Sequence, residues 1–81
     1  MISVVELLEF AAEMAEVLME KAEKYEGDYE RTTLGSLRAK MDEQIMKISD
    51  IICNKIDWDR EEVKRRLIHV ANFALLAYYK V

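Results

Sequence analysis

Three groups of residues in this chain have types and spacings that could do chemistry. The first is a glutamate run, Glu6, Glu9, Glu13, Glu16, Glu20 and Glu23, with three Glu-x-x-Glu steps. That spacing sets carboxylates on one face of a helix, where a hard cation such as magnesium finds convergent oxygens. Spread over so many turns and alternating with apolar residues, the same run also reads as the solvated face of an amphipathic helix. The surface reading carries more weight, and no metal ligands are assigned.

The second group is Lys64-Arg65-Arg66. Nucleic-acid binding needs several phosphate-neutralising cations on one surface. Consecutive helical residues splay by about 100° each, and Glu61 and Glu62 stand beside them, so nucleic acid is not expected as a partner. The third group is His69 and Asn72, three apart and on one side of a helix. A histidine base needs a positioned nucleophile or substrate group, and none stands near it in the pattern. The pair therefore reads as buried polar groups hydrogen-bonded at a contact. Cys53, the lone cysteine, has no mark of a reactive thiol.

Helices must position these groups. Apolar spacing is three-to-four throughout and never two, which excludes strands. A first helix is expected over about residues 3–25, with Leu7, Leu8, Ala11, Met14, Ala15, Leu18, Met19, Ala22 and Tyr25 on one broad face and the glutamates opposite. Gly27 is its natural stop. A second helix, about 34–53, is expected to start on a Thr33 cap. It would face the core with Leu34, Leu37, Met41, Ile45, Ile48, Ile52 and Ile56, with Gln44 and Ile51 flanking. Lys40, Glu43, Lys47 and Asp50 would lie away from that centre. A third helix, about 60–80, follows Asp59, whose carboxylate caps while Glu62 reaches back, with Trp58 and Val63 as a hydrophobic staple. From Leu67 onward its apolar residues point all round, so other copies are expected around it, with Leu76 at a contact between them.

The composition agrees. Eighty-one residues, 52% hydrophobic, with no proline and two glycines, make one helical domain near the size where a solitary core is marginal. The net charge of −4 is uneven: residues 1–30 hold nine acidic and two basic residues, and 31–81 hold seven and ten. No uncharged run reaches the ~18 residues of a membrane span. The glutamates interrupt any signal-peptide core, and a single cysteine makes no internal disulfide. A cytoplasmic protein is expected, with no membrane partner.

Lys24-Tyr25-Glu26-Gly27-Asp28-Tyr29-Glu30-Arg31-Thr32, the helix Leu37-Arg38-Ala39-Lys40-Met41-Asp42-Glu43-Gln44-Ile45-Met46-Lys47-Ile48, and His69-Val70-Ala71-Asn72-Phe73-Ala74-Leu75-Leu76 resemble the all-α nucleotide pyrophosphohydrolases (MazG-like). They are most similar to its short viral or archaeal forms. In that family, Glu-x-x-Glu on one helix and Glu-x-x-Asp on the next hold magnesium, which activates water against a nucleoside triphosphate. The resemblance sets those positions at Gln44 and Lys47 and at His69 and Asn72. None is a carboxylate, and a one-residue slip supplies Glu43 alone. The resemblance thus implies the scaffold, with a dimer or tetramer as its assembly, more than the activity.

The expectation is an all-α three-helix unit that assembles into an oligomeric bundle. It would be a non-catalytic interaction protein with itself as first partner and a second protein as a further one. No catalytic residue and no cofactor are assigned. The alternative is nucleotide binding or triphosphate hydrolysis at a rearranged site, with magnesium as cofactor and Lys47, His69 or Arg31 meeting a phosphate; a third reading is weak DNA binding through Lys64, Arg65 and Arg66.

Overall fold

The computed structural model describes residues 2–21, 30–54 and 57–81. They form three helices and no strand: α1 (Val4–Glu20), α2 (Leu34–Asn54) and α3 (Arg60–Tyr78). The expectations for Gly27, Ala22, Tyr25, Glu23 and Ile56 fall outside the described residues.

Each helix begins on a side-chain cap. Ser3 Oγ accepts from the Glu6 amide at 3.2 Å, and Thr33 Oγ1 from the Ser36 amide at 3.0 Å. Asp59 Oδ1 takes both the Glu61 amide, at 3.0 Å, and the Glu62 amide, at 3.2 Å. Each oxygen satisfies a backbone donor that the first turn leaves orphaned. Half of the reciprocal box expected at Asp59 forms. The Glu62 carboxylate turns to Arg66 instead, at 3.0 Å, because a charged partner one turn on outcompetes a neutral amide. Trp58 is half-buried beneath the Arg60 guanidinium, 4.7 Å from its ring centre. α1 closes at Lys21, whose amide is shared between the Val17 and Leu18 carbonyls at 3.2 Å each, a bifurcated bond of the kind that tightens helix ends.

α3 is the central element. It packs on α2 along one side and on α1 along another, and α1 and α2 do not approach each other among the described residues. This accounts for much of the all-round apolarity of the third helix within one chain. Ile68 and Asn72, and then Val63 and Phe73, are buried, and Leu76 lines the seam with α1 beside Val17 and Leu18. Within one chain Leu76 thus stands, half-buried, at an intramolecular contact. Leu67, Leu75, Tyr78 and Tyr79 remain exposed.

The packed faces of α1 and α2 are rotated from those expected. On α2 the covered line is Leu37, 2% exposed, followed by the half-buried Met41, Gln44, Ile48 and Ile51. Leu34, Ile45 and Ile52 stay largely open. Lys40 reaches α3, its Nζ 5.9 Å from the Phe73 ring centre. On α1, Val17 is buried and Met14, Leu18 and Lys21 are half-buried. Val4, Val5, Leu7, Leu8 and Met19 are all more than half exposed.

The result is open. The chain exposes 6569 Å², where a compact monomer of 9.5 kDa exposes about 5,000 Å². Its radius of gyration is 13.9 Å, against about 12 Å for a compact chain of this length.

Candidate functional site

Gln44, Lys47, His69 and Asn72, the residues singled out in the sequence, converge on α3 only in part. Asn72 is 5% exposed, and its Nδ2 donates to the Met14 carbonyl at 3.2 Å, fastening α1 to α3. Its Oδ1 is buried without a partner. Beside it lies a space of about 10 Å³, lined by Val17, Leu18, Lys21, His69, Phe73 and Leu76. That volume is the least that holds one water, so no substrate enters there.

His69, one turn earlier, is half-buried. With Glu62, Arg65 and Arg66 it lines a cleft of about 230 Å³. Its imidazole is held below the ordinary 6.5, first by burial and then by the charges of Lys21, Arg65 and Arg66, with Glu20 acting the other way. A ring whose protonation burial and three cations disfavour is a hydrogen-bonding group, and the Glu20 carboxylate does not reverse that shift.

Gln44 belongs to the opposite seam. Its Oε1 accepts from Arg66 Nη1 at 3.1 Å, and Arg66 Nη2 donates to Glu62 at 3.0 Å. The guanidinium thus bridges α2 and α3, and its Nε is buried unpaired. Lys47 lies outside both seams, exposed and paired with Glu43 at 3.0 Å. Arg31 is exposed on the turn before α2, and no hydrogen bond or ion pair joins it to Gln44, Lys47, His69 or Asn72. The four positions therefore do not form one site: Asn72 and Gln44 lie in separate seams of α3, His69 lies beside Asn72 and the Arg65–Arg66 cleft, and Lys47 lies in solvent.

The glutamate run corrects an expectation. It does not oppose the packed face of α1. Glu13, Glu16 and Glu20 line a cleft of about 360 Å³ against Glu61, Lys64, Arg65 and Ile68 of α3, and Glu20 pairs with Arg65 at 3.5 Å. The reason is the rotation of α1, which seats Val17 on α3 and brings the glutamates, about 40–100° around the helix, to the seam. The acidic first half and basic second half allow such an attraction within the bundle, but which glutamates meet which cations was not legible in the sequence. Among the described residues, no group of three or more histidines, cysteines or acids could hold a metal ion. No helix there is long and apolar enough to cross a membrane.

Family models do not match this chain. Comparison with curated proteins and with solved structures likewise returns no match. The functional reading therefore rests on the residues themselves.

Proposed function

We propose that this chain is a non-catalytic, self-associating helical scaffold, built on the helical plan of the all-α nucleotide pyrophosphohydrolases. One observation carries the reading: the chain exposes about 1,500 Å² more than a compact monomer of its mass. Much of its exposed apolar surface lies on helix faces. A standard interface takes about 800 Å² from each partner, so the excess leaves room for one such interface or two. At about 25 cal/mol per Å², exposed apolar faces of this extent drive association once enough copies are present.

The site geometry supports the non-catalytic half of the reading. A magnesium-activated water needs carboxylates converging from neighbouring helices. The corresponding positions here carry two amides, an imidazole and a lysine, and they do not converge on one point. A rival reading, phosphate binding in a rearranged site, draws on Arg65, Arg66 and His69 around their cleft. It is weakened because the Arg66 fork is already held by Gln44 and Glu62. A cytoplasmic setting goes with the proposal, since the lone Cys53 is an exposed free thiol of the kind that reducing conditions preserve.

Light scattering at micromolar concentration tests the proposal. A mass of two or more chains is the expected result, and a compact monomer across the concentration range overturns it.

A further inference from the structure

We infer that the contact between copies is α1 against α1 of a second copy, through the face that α1 turns away from α3. This rests on the self-association proposed above and assigns it a surface. Val17 seats α1 on α3. At about 100° per residue, the positions opposite Val17 run from Leu7 round to Val5, a sector of about 160°. Every residue in that sector is apolar. Leu8, Ala11, Ala12 and Ala15 hold its centre, with Val4 and Met19 at its ends. Val4 is 70%, Leu8 62% and Met19 78% exposed, and the three alanines are exposed as well.

Charge and width select this face. Glu6, Glu9, Glu13, Glu16 and Glu20 of α1 all stand about 100° or more from the centre of the sector. They lie toward the seam where Glu13, Glu16 and Glu20 face Lys64 and Arg65, so two α1 helices can meet without burying like charges between them. On α2 the open residues Leu34, Ile45 and Ile52 make only a narrow stripe. The Arg38–Asp42 pair, 3.8 Å apart, borders it on the solvent side, and a partner seated there would have to desolvate that pair. α3 is already packed against both other helices, and its first two turns carry Glu61, Glu62, Lys64, Arg65 and Arg66.

A second copy is the occupant that this face fits. The sector carries no charged or hydrogen-bonding side chain, so it holds nothing by which a polar or charged partner would be recognised. Among the described residues, the surface that matches a wide, chargeless strip is the same strip on another chain. A two-fold contact pairs one patch with itself. Covering the strip from end to end sets the two-fold midway between Val4 and Met19, at Ala11 and Ala12. Whichever way the second helix runs, those alanines then lie close to their own counterparts. Their short side chains let the two axes approach to the near end of the ~8–10 Å range for packed helices.

Sedimentation and crosslinking of the full chain test the pairing. Ala15→Glu puts a charge at the centre of the strip. Ala15 is exposed within one chain and glutamate is a good helix former, so the helical circular dichroism should hold. The Kd for self-association should rise about tenfold or more, as a charge is forced into an apolar contact. Ile45→Glu, on the open stripe of α2, should leave that Kd unchanged. With Cys53→Ser as background, Ala11→Cys should be joined to its own counterpart by a short bifunctional thiol reagent. An Ala15→Glu protein that associates with the wild-type Kd overturns the α1 contact while leaving self-association standing. So does dissociation of Ile45→Glu, or an associated Ala11→Cys protein that the reagent does not join. A wild-type chain that stays monomeric overturns both readings.

Discussion

Asn72 on α3 donates to the carbonyl of Met14 on α1 at 3.2 Å, joining residues far apart in sequence. The Met14 carbonyl sits inside a helix, so Asn72 adds a second bond to an acceptor the helix already uses. Asn72→Ala should destabilise the fold by about 1–3 kcal/mol, through the lost bond and the space left behind. Asn72→Leu should cost less, because it fills that space and removes the unpartnered Oδ1. Asn72→Asp, which installs a carboxylate, should cost most, about 3 kcal/mol or more, as a buried charge facing a carbonyl. Urea unfolding of the three variants checks the order, and Asp tolerated better than Leu would contradict this account of the seam.

The Asp59 cap gives a second expectation. Its Oδ1 holds two amides of the first turn of α3, and Asp59→Ala should cost about 0.5–2 kcal/mol. Asp59→Ser should recover most of the loss, since a hydroxyl can take the same amides. Thermal melts read both, and an unchanged Asp59→Ala midpoint would show that the cap contributes nothing.

How much of this was legible in the sequence follows from what each signal encodes. Caps are local, so Thr33 and Asp59 could be read from their immediate neighbours. The helices were legible because apolar spacing of three and four fits only one regular structure. Which edge of an apolar sector meets a neighbour is not local. On α2 the sector is wide enough to hold two lines, and only the position of α3 selects the one with Leu37. On α1 the same width hid the packing edge, so the glutamates were read as opposing the core when Glu20 stands at the seam with Arg65. At the candidate site the residue types could be read, but not their dispersal. Gln44 and Asn72 belong to separate seams because α3 separates α1 from α2, which no pairwise spacing records.

His69 makes stability depend on pH. Its folded value lies below 6.5 through burial and the charges of Lys21, Arg65 and Arg66, so the unfolded chain takes up the proton more readily. The stabilising contribution is fully present above 6.5 and declines as pH falls through 6.5 toward the folded value. The wild-type midpoint should therefore fall between pH 7.5 and 5.5 by more than that of His69→Gln, which keeps a neutral polar group. Parallel curves for the two proteins would show that the histidine does not couple to folding.

The last expectation is that purified protein releases no pyrophosphate from ribo- or deoxyribonucleoside triphosphates with magnesium or manganese. Hydrolysis of this kind needs a cation held by several carboxylates and a water aimed at phosphorus. Gln44 and Asn72 are neutral amides committed to Arg66 and to Met14. His69 lies among cations that disfavour a metal beside it, and the Lys47 ammonium is outside, on Glu43. The acids that do gather, Glu13, Glu16, Glu20 and Glu61, share their cleft with Lys64 and Arg65, whose charges offset the field a divalent ion requires. Thermal shift separates binding from turnover. A nucleotide at a hundredfold excess over its Kd stabilises a fold by about 2.7 kcal/mol, which a melt resolves easily. A shift abolished by His69→Ala, without pyrophosphate release, would move the protein to the phosphate-binding reading. Release that depends on Glu43 or on the cleft glutamates would overturn the non-catalytic proposal outright.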